Sequence, residues 1–262
     1  MAGHTQDHDF YIPAGSIWPP LSCLGAGLFM FGFVSLLHFS AFAGKLGMAS
    51  GLLLITFAAL QWFRKLIGES RARGFVNPPR VLELANRYGM VFFIASELMF
   101  FAGFFAAYFF IVGHNPEWPP SNIEALDLQL PIINTLILLT SGATITWSHH
   151  ALLEGDRDTC RKFMLATWVL GVCFLFCQAY EYSHATFTLS SGAYGSTFFM
   201  LTGFHGFHVL LGTLMLIAVH LRLRKGDFTE KHHFYFEAAA WYWHFVDAVW
   251  IGLFLFVYAL PA

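Results

Sequence analysis

Apolar residues run through this sequence in long blocks, and polar residues gather in the gaps between them. A helix rising 1.5 Å per residue needs about 20 predominantly apolar residues to cross a hydrocarbon core of ~30 Å. Seven blocks reach that length: residues 20–43, 47–66, 88–113, 130–150, 163–184, 196–221 and 236–260. The gaps carry chain-breaking or charged residues: Gly44-Lys45, the basic stretch 64–87 with Asn77-Pro78-Pro79, and the segment 114–127 with Trp118-Pro119-Pro120. Glu154-Gly155-Asp156-Arg157, Ser190-Ser191-Gly192 and residues 222–237 complete the set. The pattern predicts an all-α integral membrane protein of seven transmembrane helices.

Composition supports the bilayer as solvent. Hydrophobic residues make up 57% of the 262 and charged residues 11%, where a soluble domain carries about 25% charged. Thirty-one Phe exceed what one soluble core of this length would bury, whereas lipid-facing helices expose Phe without cost. The net charge of -2 gives no reason to expect nucleic acid as a partner. Residues 1–17 lack a basic region followed by an apolar core, so they read as a retained tail and the first apolar block as a retained span. Cys23, Cys160, Cys173 and Cys177 contain no CxxC pair. They are expected as free core thiols without a disulfide or a metal.

Charge also sets an orientation. If the amino terminus lies on the cytoplasmic or matrix side, thirteen of the fourteen Lys and Arg fall in inward segments: Arg64, Lys65, Arg71, Arg73, Arg80, Arg87, Arg157, Arg161, Lys162, Arg222, Arg224, Lys225 and Lys231. Only Lys45 lies outside. Such asymmetry is the positive-inside pattern, and an even number of spans would break it. Trp18, Trp62, Tyr88, Trp147 and Tyr258 stand where interfacial anchors are expected. Gly47 with Gly51, Gly142-Ala143 and Gly203 with Gly206 allow close helix approach, where packing drives association.

A few ionisable residues interrupt the apolar blocks. Glu97 lies ten residues beyond Arg87, about 15 Å deeper along a helix and so near mid-bilayer. A carboxyl there is expected to be protonated or bonded to a neighbouring span, and a structural and a proton-handling role both fit. Candidate partners are His205 and His208 on the sixth span and His244 and Asp247 on the seventh, with each pair's spacing of three predicting a shared face. No opposed histidine arrangement suited to a bis-histidine haem is legible. His149-His150, beside Glu154 and Asp156, and His232-His233 are expected as hydrogen-bonded clusters, with no metal assigned. His4 and His8, with Asp7 and Asp9, form a titratable tail that could collect protons near neutral pH. No GxGxxG, P-loop, GxSxG or HExxH element occurs, so no catalytic residue is assigned.

Long motifs decide between a transporter and an accessory subunit. The run Phe236-Glu237-Ala238-Ala239-Ala240-Trp241-Tyr242-Trp243-His244-Phe245-Val246-Asp247-Ala248-Val249-Trp250 closely resembles the last span of the cytochrome c oxidase subunit III family. The stretches from Gly195 to Phe199 and from Phe204 to Val209, Arg87-Tyr88-Gly89-Met90 with Ser96-Glu97, Trp118-Pro119-Pro120, Thr144 to His150, and Glu154-Gly155-Asp156-Arg157 resemble it in the same order along essentially the whole chain.

The resemblance implies an accessory subunit of a terminal respiratory oxidase that takes electrons from cytochrome c, reduces dioxygen and pumps protons. Haems and copper would belong to subunits I and II, with none held by this chain. Subunit I would be its main contact, subunit II a further partner, and cytochrome c a partner only through the complex. The implied division is an inner-face tail over 1–17, a two-helix bundle over 18–66, a basic inner-face linker over 67–87 and a five-helix bundle over 88–262, with a lipid-filled cleft between the bundles. Phospholipid contacts map to Trp62, Phe63, Arg222 and Lys225, while Gly68 and Asp227 replace an Arg and a His of the animal pattern. The expected location is a bacterial inner membrane with a cytoplasmic amino terminus, the mitochondrial inner membrane being the alternative. The two amino-terminal spans favour a cytochrome c oxidase over a quinol oxidase. An independent transporter using Glu97, His208 and Asp247 as a relay is the alternative from another class.

Overall fold

A computed structural model describes residues 15–72, 80–120 and 128–260. The secondary structure of these residues is helical throughout: α1 (Trp18–His38), α2 (Ala41–Ala72), α3 (Arg80–His114), α4 (Gln129–Leu153), α5 (Arg157–His184), α6 (Gly192–Arg224) and α7 (Phe234–Leu253), which continues as a π-helix over Phe254–Ala259. All seven are long and apolar enough to span a bilayer. The chain divides into two compact units, Met1–Leu82 and Glu83–Ala262. His4 and His8 lie outside the described residues.

In the first unit, α1 starts at Trp18-Pro19-Pro20, where proline's missing N–H is no loss because first-turn donors have no helical acceptor. The break after α1 differs from the expectation at Gly44-Lys45. It falls at Phe39-Ser40, both of whose N–H groups donate to Ser35 O, at 3.0 and 2.8 Å. Ser40 Oγ then accepts from Ala43 N at 3.3 Å at the start of α2. Gly44 and Lys45 lie inside α2. The physical reason is contact: Gly44 lies against the backbone of Leu36, Gly32 against Gly47 and Met48, and Gly51 against Phe29. A Cβ at Gly32 or Gly51 would overlap main-chain atoms of the facing helix, so these glycines set the interhelical distance.

The stretch 67–87, expected as a linker, contains the end of α2 and the start of α3. Basic residues do not stop a helix once it leaves the hydrocarbon, since Lys and Arg are good helix formers. Several helices likewise run past their expected ends, α5 beginning at Arg157 and α6 ending at Arg224.

The second unit buries an aromatic core at α4, α5, α6 and α7 around Trp243 and Trp250. Trp243 Nε1 donates to Ser141 Oγ at 2.9 Å and Trp250 Nε1 to Thr135 Oγ1 at 3.0 Å. Each indole is thereby buried without losing its hydrogen bond. At one end of this unit, Gly155 ends α4 at φ 79°, and Asp156 caps α5 by accepting from Thr159 N at 3.0 Å. Arg157 at that same end donates to Phe228 O at 3.2 Å, which joins the α4–α5 connection to the α6–α7 connection. Trp118 marks the other end, packed on Tyr108 and Tyr194.

Tyr258 departs from its expected place as an interfacial anchor. It is 2% exposed and donates to Glu181 Oε2 at 3.2 Å, because the wider π-turn carries it inward. Phe256 O in that turn accepts from Tyr108 OH at 2.8 Å. All four cysteines are free, but only Cys160 is buried, while Cys173 is exposed on α5.

Candidate functional site

Glu97 on α3 meets His208 on α6, with 3.0 Å between Oε2 and Nε2. The other ring nitrogen, Nδ1, lies 2.8 Å from Phe204 O. A carbonyl only accepts, so Nδ1 carries a hydrogen. The space between Nε2 and Oε2 therefore holds a single proton, either on the carboxyl beside neutral imidazole or on the ring beside carboxylate. In both states the pair is neutral overall, which is what a low-dielectric site tolerates. Rings of Phe101, Phe204, Tyr242 and Phe245 surround His208. The Glu97 side chain keeps 18% of its surface exposed and that of His208 4%, so the carboxyl is the open side of the pair.

His205 does not join this pair. Residues three apart on a helix differ by about 60° in bearing, and that is enough to aim His208 at α3 and His205 at α7. His205 Nε2 donates to Val246 O at 3.2 Å, and its buried Nδ1 has no hydrogen-bond partner. Its ring lies beside Trp250 and Phe174. This suits a neutral packing histidine.

His244 and Asp247 form a third place, facing α4. Thr146 Oγ1 donates to Gly142 O at 3.0 Å, so its lone pair receives His244 Nε2–H at 3.2 Å. His244 Nδ1 lies 3.6 Å from Asp247 Oδ2. That carboxylate oxygen sits against Gly142, where a Cβ would overlap it, and Asp247 Oδ1 is buried without a hydrogen-bond partner. Direct hydrogen bonds among the described residues do not connect Asp247 with Glu97 and His208, so the five candidates fall into three local sites.

Lipid candidates divide as well. On α2, Phe63 is exposed and Trp62 half-buried. Arg222 is engaged internally: its Nε bonds Asp227 Oδ2 at 3.1 Å, and its guanidinium lies over Phe228 and Tyr235 at 4.7 and 5.3 Å. Asp227 thus supplies the partner that ties this arginine down. Lys225 is exposed. A basic recess absent from the sequence expectations is lined by Arg161, Lys162, Leu165, His220 and Arg224; its signal was the i,i+4 repeat of basic residues on α6.

One polar cluster was legible only as fragments. His149, His233 and Glu237 bring their ligand atoms within 4.8 Å of one another, and Arg87 NH1 pairs with Glu237 Oε2 at 2.7 Å. The sequence offered two His-His pairs, and the fold takes one residue from each. Nearby, hydrogen bonds from Thr159 hold the exposed Asp156 carboxyl below the usual carboxylate range.

Comparison with known proteins converges on one family. The family model for cytochrome c oxidase subunit III matches residues 8–261. The chain is 45% identical over 260 residues to cytochrome c oxidase subunit 3 of Tragelaphus oryx, covering 97% of each chain. It is 44% identical over 259 residues to the Rattus norvegicus protein of the same name, again covering 97% of each. With seven membrane-spanning helices and a match from end to end, the chain belongs to the cytochrome c oxidase subunit III family.

Proposed function

We propose that this chain serves an oxidase as a non-redox accessory subunit. In this reading subunits I and II carry the haems and copper and reduce dioxygen with electrons from cytochrome c. The chain packs chiefly on subunit I, sustains proton delivery to it and prolongs its activity. The observation that carries the reading is the single-proton pair of Glu97 and His208. It holds one exchangeable proton deep along α3 in an aromatic wall, with the carboxyl side open. Such a pair exchanges its proton without a net change in buried charge, so it can serve as a reservoir near mid-bilayer. Exposed Phe63 and Lys225, with the recess of Arg161, Lys162 and Arg224, suit phospholipid acyl chains and phosphates respectively. The chain lies in a bacterial or mitochondrial inner membrane with its basic connections inward.

Glu97→Gln tests this reading. The amide can donate to the His208 Nε2 lone pair, so shape and contact persist while titration is lost. In the purified complex we expect normal haem spectra and slower proton uptake during a single turnover. Uptake identical to that of the unmodified complex would remove the proton role. Failure of the chain to co-purify with a haem-bearing subunit, or oxidation of a quinol in place of cytochrome c, would remove the oxidase assignment itself.

A further inference from the structure

The cluster of His149, His233 and Glu237 gathers two imidazole nitrogens and a carboxylate oxygen within 4.8 Å of one another. His233 Nδ1 lies 3.1 Å from Thr229 O; the carbonyl can only accept, so Nδ1 bears the hydrogen and Nε2 of the neutral ring is a lone pair. That lone pair stands 3.2 Å from Glu237 Oε1, a second acceptor. His149 Nε2 and His233 Nε2 are both buried without a hydrogen-bond partner. A shared proton can bridge His233 Nε2 and Glu237 Oε1, as at Glu97 and His208, but it leaves the buried His149 Nε2 unpaired, whereas a metal cation would engage all three ligand atoms.

The chemistry of the donors selects the cation. Two imidazole nitrogens and a carboxylate oxygen are ligands for zinc and its neighbours, whereas calcium and magnesium prefer oxygen throughout. Ligands placed ~2.0–2.1 Å from a tetrahedral zinc are about 3.3 Å apart, close to the 3.2 Å between His233 Nε2 and Glu237 Oε1. The surroundings supply the outer support such sites use. Thr229 O fixes the His233 tautomer, Arg87 holds the second Glu237 oxygen, and Phe236 stacks on His149 at 24° between planes. Arg87 also reaches Glu83 at 3.6 Å. Two carboxylates against one guanidinium leave one negative charge to be offset.

We propose that His149 Nε2, His233 Nε2 and the Glu237 carboxylate form a binding site for a divalent transition metal of the zinc class, with water as the remaining ligand. All three ligands come from this chain, and the site is independent of the proton role of Glu97. Closing it needs only a small rotation of His149, whose ligand atom is already within 4.8 Å of the other two.

The test uses the purified oxidase complex, stripped with chelator, equilibrated with zinc sulfate, gel-filtered and assayed for zinc per haem. We expect His149→Ala and His233→Ala to lose one zinc equivalent relative to the unmodified complex, and His150→Ala and His232→Ala to retain it. Equal zinc in the unmodified and His233→Ala complexes would overturn the site, leaving a proton shared by His233 and Glu237. Where a variant releases the chain from the complex, anomalous scattering at the zinc edge from the unmodified complex decides the matter. A peak between His149 and His233 supports the site, and its absence at saturating zinc refutes it.

Discussion

Asp247 shows how a single small residue admits a polar group to an apolar interface. Its carboxyl occupies space on α4 that any side chain at position 142 would claim. Gly142→Ala should therefore weaken the second unit by about 1–3 kcal/mol, the usual range for overpacking. Removal of the carboxyl should reverse the effect. In an Asp247→Ala background, alanine at 142 is left in ordinary contact with His244 Nδ1 at 3.7 Å and gains up to ~1 kcal/mol of helix propensity, so the sign changes. A denaturation cycle on the purified complex, followed through retention of this chain, measures the coupling. Strictly additive losses would mean that Gly142 is there for another reason. The same residue scale explains what the sequence concealed. Glu97 was legible as a buried acid, but its partner was not, since His205 and His208 have equal claims in the sequence and only the bearing of α6 toward α3 separates them.

Among the elements, helix ends carried less information than helix existence. Seven apolar blocks of spanning length made seven helices, because a membrane helix satisfies its own backbone and leaves few alternatives. The boundary between α1 and α2 was misplaced because glycine has two uses. Gly44 reads as a breaker, yet it sits within α2 so that Leu36 can approach. The α4–α5 connection was placed correctly, since Gly155 at positive φ and the Asp156 cap act locally. That cap also has a pH dependence of known sign. The folded-state pKa of Asp156 is depressed by Thr159, so its stabilisation of the first turn of α5 is present above the ordinary carboxylate range. It is lost as pH falls through the lower, folded value. Amide exchange at Thr159, corrected for its intrinsic rate, should accelerate across that acid interval. With Asp156→Asn, which caps without titrating, protection should stay flat, and equal acceleration in both proteins would show that another group controls this turn.

For the molecule as a whole, the distribution of surface matters more than any one contact. Phe31, Phe42, Phe92 and Phe176 are exposed, which in water would drive aggregation and in lipid costs nothing. The second unit has two chemically distinct ends. Gly155, Arg157 and Phe228 gather the α4–α5 and α6–α7 connections at a basic end, while Trp118, Phe187 and Tyr194 gather the α3–α4 and α5–α6 connections at an aromatic end. Helix parity and basic charge then make one prediction, because five spans put the two ends on opposite sides and positive charge resists translocation. In sealed inner-membrane vesicles of known orientation, with the native cysteines replaced, a membrane-impermeant thiol reagent should modify Glu154→Cys and Glu230→Cys from the cytoplasmic or matrix side. Glu117→Cys and Ser190→Cys should react only from the opposite side. Labelling of Glu117→Cys and Glu230→Cys from one side would leave an even number of crossings between them, which α4, α5 and α6 as three spans do not allow. Labelling with the two sides exchanged would keep the helices and reverse the orientation, and it would put the basic end of this unit on the wrong face to meet protons entering from the inner side.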